Sequence, residues 1–180
     1  MFNKLELLLR HLWLDASDAR RAIPPDMLKR LAARVTASER HHSGQIRICI
    51  EAALPASYLW RLNGQTLLND LIRQRAITLF GKLRIWDTED NNGVLIYLLL
   101  AEQAIEIVAD RALMRHVTTQ QWQAMIARMS NAFHENRYED GLAQALEETS
   151  AVLMTHFARP DDTESSQIPP NELPDLPMLQ

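Results

Sequence analysis

Residues 86–93 read WDTEDNNG and place three carboxylates (Asp87, Glu89, Asp90) beside two carboxamides (Asn91, Asn92). Carboxylate and amide oxygens are hard donors, suited to calcium or magnesium, which draw such groups together at roughly 2.0–2.6 Å. A turn here needs less: Asn92-Gly93 can make it and Asp90 can cap it. The surplus charge therefore has two readings, a solvated loop or a ligand set. The spacing matches no regular calcium-loop motif, so it leaves both open.

Other reactive groups are sparse. His41 and His42 could ligate a metal or act as a base, but adjacent histidines at a helix end are expected to face solvent. Cys49 is the single cysteine, which excludes an internal disulfide and fits a reducing compartment. It alternates with isoleucines and is expected to pack on the opposite face of their strand, with no base placed to activate it. Ser43 has no nucleophile-elbow motif around it, and five glycines in the whole chain supply no phosphate-cradling loop.

The elements that must position these groups follow from periodicity. Pro24-Pro25-Asp26 opens a helix with Met27, Leu31 and Val35 on one stripe. After Ser43-Gly44, QIRICIE alternates Ile46, Ile48 and Ile50, the pattern of a half-buried strand near 45–51. Asn63-Gly64 introduces a helix carrying Leu68, Ile72, Ala76 and Phe80, widened by Leu67, Leu71 and Leu79. VLIYLLL (94–100) is apolar throughout, so both its faces should be covered and it belongs in the middle of a sheet. AIEIVA (104–109) returns as a third strand. Thr118 and Gln121 form a capping-box pattern ahead of Trp122, Ile126, Met129 and Phe133. The last helix aligns Leu142, Leu146, Thr149, Leu153 and Phe157.

Strand, helix, strand implies a parallel crossover, whereas the short turn at Ala101-Glu102-Gln103 forces an antiparallel hairpin. The expected fold class is α/β, an α/β/α sandwich with a small mixed central sheet. Folding the hairpin back brings Asp110, in VADRAL, beside Gly93. If the first two strands are parallel, His41, His42 and Ser43 reach the same rim. Four carboxylates (Asp87, Glu89, Asp90, Asp110) and two amides (Asn91, Asn92) then converge as a candidate site for calcium or magnesium.

Three segments are expected: an N-terminal amphipathic helix and connection (1–22), an α/β domain (23–158) and an acidic, proline-rich disordered tail (159–180). The first helix sets Phe2, Leu5, Leu9, Leu12 and Trp13 along one face, which should pack on its own domain, a second copy or a membrane surface. Glu6, Arg10 and His11 break any signal-peptide core, and no stretch reaches the ~18 apolar residues of a membrane span. A cytoplasmic location follows, with peripheral membrane contact through residues 2–14 as an option. The net charge is −4. The tail holds five acids and no base beyond Arg159, so removing those five charges leaves +1 on residues 1–159. A near-neutral domain has no nucleic-acid footprint, and no nucleic-acid partner is expected.

The stretches SGQIRICIE, LFGKLRIWDTEDNNGVLIYLLL, AIEIVADRAL and FHENRYEDGLAQAL together resemble the TPM domain over about residues 36–155. NNGVL and the hairpin after it are the most specific part. The resemblance implies an α/β/α sandwich, divalent-ion binding with Asp87, Asp90, Asn91, Asn92 and Asp110 as candidate ligands, and action through protein partners, as in membrane-protein maintenance. For some relatives it implies a weak acid phosphatase activity. Many bacterial relatives carry a signal peptide, a membrane helix and a glycine-rich tail, which this chain does not show. Ala109-Asp110 replaces a glycine pair common in that position. The readings are a cation-binding, partner-directed module, a metal-assisted phosphatase, and a structural module without an ion.

Overall fold

The computed structural model describes residues 4–14, 16–63, 66–159 and 171–180. In chain order the helices are α1 (Lys4–Trp13), α2 (Ala16–Ala22), α3 (Pro25–Ser38), α4 (Ala56–Leu59), α5 (Leu68–Lys82), α6 (Arg111–Met114), α7 (Thr119–His134) and α8 (Tyr138–Phe157). The strands are β1 (Ile46–Glu51), β2 (Val94–Leu99), β3 (Ala104–Ala109) and β4 (Met178–Leu179). The sheet order is β3-β2-β1-β4. β1 and β2 are parallel, with Ile46 opposite Val94 and Glu51 opposite Leu99. β2 and β3 form the antiparallel hairpin, with Val94 opposite Ala109.

Alternation along the strands builds two cores. Ile46, Ile48, Ile50, Val94, Ile96, Leu98, Ile105 and Ile107 face a layer that includes Ala19 of α2, Leu31 of α3, Phe133 of α7 and Leu146 of α8. Cys49, Leu95, Tyr97, Leu99 and Val108 face the other layer, formed by Leu7 of α1, Leu59 of α4 and Leu71, Ala76 and Leu79 of α5. The α/β/α sandwich and mixed sheet are as the sequence implies. The capping box at Thr118 and Gln121 is present, each side chain serving the other's backbone N–H.

Several expectations are corrected. β1 is covered on both faces, since Cys49 and Glu51 are as buried as the isoleucines. Residues 16–22 form α2 rather than a plain connection, and α4 was not anticipated. The α5 helix begins at Leu68 and leaves Leu67 exposed, while Gly64 lies outside the described residues.

Self-packing of α1 holds, but through Leu7 and His11, with Leu9, Leu12 and Trp13 left outside. Phe2 is not among the described residues, nor is the side chain of Leu5. His11 explains the change of face. Its Nδ1 accepts the Leu54 N–H (3.0 Å) and its Nε2 donates to Glu102 (3.1 Å), so a polar ring with both nitrogens used is drawn inward.

The tail differs too. Its last ten residues are ordered, and β4 runs parallel to β1. Gln180 N donates to Ile50 O and Ala52 N donates to Gln180 O, both at 2.9 Å. Gln45 Oε1 accepts from the N–H groups of Glu172 (3.0 Å) and Leu173 (3.2 Å). Five acids in a proline-rich stretch hid two residues that complete a ladder.

One ion pair lies inside the second core. Arg75 donates to both Glu51 oxygens (2.9 and 2.6 Å), and the Tyr97 hydroxyl donates to Glu51 Oε2 at 2.7 Å. Burial pushes the Tyr97 hydroxyl well above its usual range, so it stays a donor. Arg75 sits between Leu71 and Leu79 on the buried stripe of α5, where a cation needs a partner. Arg75→Met should cost about 3–5 kcal/mol, because it strands a buried carboxylate. Glu51→Leu combined with Arg75→Met should cost less than Arg75→Met alone. Urea unfolding of the three proteins measures both.

Candidate functional site

The loop between α5 and β2 is shaped by short-range constraints. Arg84 takes a left-handed conformation (φ 54°), and Asp87 answers it, donating its N–H to Arg84 O (2.9 Å) and accepting from the Arg84 guanidinium (2.6 Å). Asn91 is also left-handed (φ 53°), a region asparagine tolerates better than most residues. Thr88 accepts twice, from Asn91 N at its carbonyl (3.1 Å) and from Asn92 N at its hydroxyl (3.2 Å). At Gly93 an added Cβ would lie 2.1 Å from the carbonyl oxygen of Ile85. Only glycine lets the chain turn back so tightly onto the segment that follows α5.

The hairpin then delivers Asp110. Its N–H donates to Gly93 O (2.9 Å), and Ala112 N donates to Asn91 O (3.1 Å). Asp110 caps α6 through Oδ1, which accepts from Arg111 N at 2.6 Å. The Arg111 guanidinium donates to Asn91 Oδ1. Ser43 arrives from ahead of β1 and joins the loop twice, donating to Asp90 Oδ2 (2.8 Å) and accepting from Asn92 Nδ2 (3.0 Å).

Ser43, Asp90, Asn91, Asn92 and Asp110 thus share one rim. Asp87, in the same loop, pairs with Arg84. The Glu89 N–H donates to Glu172 Oε2 (2.9 Å), which brings a tail carboxylate to the loop. Nothing in the sequence pointed to Glu172, because that contact depends on β4. Among the described residues, no group of three or more His, Cys, Asp or Glu side chains is close enough to hold an ion. What the rim offers is two carboxylates supplemented by amide oxygens.

Two of those oxygens are conspicuous. Asn92 Oδ1 and Asp110 Oδ2 are buried and have no hydrogen-bond partner among the described residues. Asn92 is 1% exposed and Asp110 9%. An unpaired buried acceptor costs about 1–3 kcal/mol and calls for a partner. Both orphaned atoms are hard oxygen donors, as a calcium or magnesium ion requires.

The family model of the TPM domain matches residues 17–152. The chain belongs to the TPM-domain family. Among solved structures, the BA42 protein from the psychrophilic bacterium Bizionia argentinensis is similar in fold. It aligns with a TM-score of 0.68 at 20% identity, covering 87% of this chain and 94% of its own. No curated protein matches the chain.

In this TPM domain the remaining candidates are structural. Cys49 is buried in the second core as expected, and burial pushes its thiol up to about 12, far from a reactive thiolate. His42, expected in solvent, is fully buried, while His41 is exposed. His42 Nδ1 donates to Gly44 O (3.0 Å), and Nε2 accepts from the Ser38 hydroxyl (2.8 Å), which also meets Ser150. This network ties α3 to α8 behind the rim, and no exposed nucleophile belongs to it. Nearby Glu39 accepts from Ile46 N (2.7 Å) and aligns the start of β1.

Burial moves these two groups in opposite senses. His42 is lowered from 6.5 to about 4, chiefly by burial. Glu39 is raised from 4.5 to about 7, again chiefly by burial. As pH falls from 6.5 towards 4, the unfolded chain protonates at position 42 and the folded one does not, so stability is lost. As pH rises from 4.5 towards 7, the unfolded chain ionises at position 39 first, and stability is again lost. The slopes oppose between about pH 4.5 and 6.5. Glu39→Gln should make stability fall with acidification across that window, and His42→Gln should make it rise. Denaturant midpoints at half-unit pH steps read both signs.

Proposed function

We propose that this TPM domain is a module that holds a divalent cation, calcium or magnesium, on the rim built from Asp90, Asn91, Asn92 and Asp110, and that it acts through protein partners. The observation that carries the cation reading is the pair of orphaned oxygens, Asn92 Oδ1 and Asp110 Oδ2. A bound ion would satisfy both. Asp87 and Glu89 would add to the local negative potential. Membrane-protein maintenance in the cytoplasm is the setting the reading favours. Among the described residues no helix is long and apolar enough to cross a membrane. Leu9, Leu12 and Trp13 are exposed at 46, 69 and 81% on the outer face of α1, an apolar surface for a peripheral membrane or protein contact.

A second reading, metal-assisted hydrolysis of a phosphomonoester, draws on Arg111, whose guanidinium stands on the same rim through Asn91. An ion there would polarise a phosphoryl oxygen, and Arg111 would neutralise its charge. Metal-dependent turnover of p-nitrophenyl phosphate that disappears in Asp90→Asn would establish it.

Asparagine keeps the cap at 110 and the acceptor for Ser43 at 90, so Asp90→Asn with Asp110→Asn tests the ion without breaking the rim. Millimolar calcium or magnesium should raise the melting temperature of the wild type, the gain growing as RT ln(1 + [L]/Kd), about 2.7 kcal/mol at a hundredfold excess over Kd. The double variant should show no rise. A wild-type melting curve indifferent to both ions would end the cation reading.

A further inference from the structure

The two edges of the sheet are treated differently. The β1 edge is closed by β4, whereas the outer edge of β3 has no strand against it among the described residues. The bond from Asp110 N to Gly93 O fixes the phase of the hairpin. In an antiparallel ladder the inward groups recur every second residue, so 104, 106 and 108 bond β2, and Ile105, Ile107 and Ala109 direct their N–H and C=O outward. The Arg73 side chain confirms that phase. It bridges from α5 to the outward carbonyl of Ile107 while pairing with Glu106 (3.0 Å).

In front of this edge runs a groove of about 1020 Å³. One wall, from α7 and the turn before it, sets Val117, Trp122 and Ile126 among polar neighbours; the other, from α5, carries the more polar set Asn69, Asp70 and Arg73 beside Ile72. A six-residue strand about 20 Å long, ~4.8 Å from its neighbour in a layer ~10 Å deep, occupies on the order of 1000 Å³. The space and the outward hydrogen-bonding groups thus suit one additional strand.

We propose that this groove takes an extended peptide from a partner protein, which adds to β3 as a fifth strand. Its side chains must alternate, apolar towards α7 and polar towards α5. Asp70 makes no ion pair within the described residues, so the charge it faces on the peptide is Lys or Arg. A second copy of this chain fits poorly, because pairing β3 with β3 would bring two Arg73 guanidiniums to one edge. Arg73, half exposed, guards the edge and swings away when the peptide's N–H takes Ile107 O. The inference rests on the partner half of the proposed function and not on the ion.

The test uses the full chain, immobilised in EDTA and again in calcium, against phage-displayed random twelve-residue peptides. Enriched sequences should alternate apolar with basic residues in both conditions. Synthetic versions should lose at least tenfold in affinity when alternate backbone amides are N-methylated, and as much against Ile126→Trp, which fills the groove. Asp70→Lys, at an exposed site, should switch the enriched charge from basic to acidic. Failure to enrich any peptide would overturn the proposal. So would peptides that bind Ile126→Trp equally well, although these would leave the partner half of the function standing. Sedimentation as a dimer with the β3 amides protected would assign the edge to a second copy instead. None of these outcomes alters the melting response to calcium, which judges the cation reading separately.

Discussion

β2 is paired along both edges and buried on both faces, so its backbone and side chains meet nothing but protein. Six consecutive apolar residues can be satisfied in that way only if helices cover the sheet above and below. The two cores divide accordingly, with α2, α3, α7 and α8 on one side and α1, α4 and α5 on the other. The parallel crossover through α5 and the antiparallel return to β3 are the connections that place a strand on each side of β2.

The same arrangement creates the rim. Parallel β1 and β2 begin at the end of the sheet where antiparallel β3 finishes, so Ser43, the 86–93 loop and Asp110 meet there. Ligand sites in doubly wound sheets usually lie beyond the carboxyl ends of the strands. Here the candidate site lies at the amino ends of β1 and β2, and the hairpin brings the carboxyl end of β3 to it. The amides in this loop do structural work first: Asn91 supplies a left-handed residue, and Asn92 tethers Ser43 through its nitrogen. The oxygen of Asn92 and one oxygen of Asp110 are what that work leaves unspent.

Edges and interiors are both managed with charge. On the β1 edge, Arg47 donates to the carbonyls of Pro174 and Leu176 and holds the C-terminal segment in place. On the β3 edge, Arg73 holds an outward carbonyl while its stem lies along the groove. Inside the second core, Arg75 and Glu51 neutralise each other under α5. Three arginines thus serve three ends: a permanent strand, a guarded edge and a buried pair.

Much was legible in the sequence because period and apolarity are local properties. VLIYLLL announced a central strand, the three-residue turn an antiparallel hairpin, and together they placed Asp110 beside Gly93 before any coordinates. Arg75, a cation on the buried stripe between Leu71 and Leu79, was a signal of a buried pair that went unread, and its partner carried no such signal. Periodicity tells which side chains avoid water, but not which neighbour will satisfy a polar one. That choice belongs to tertiary structure. It turned α1 onto Leu7 and His11, because Leu54 and Glu102 could satisfy the ring. It buried His42 where Ser38 and Gly44 could bond it, and it paired Met178 and Leu179 of the tail with β1, because an open ladder outweighs an unfavourable composition. It also paired Asp87 with Arg84, since a carboxylate follows its nearest cation, and Arg84 is three residues away.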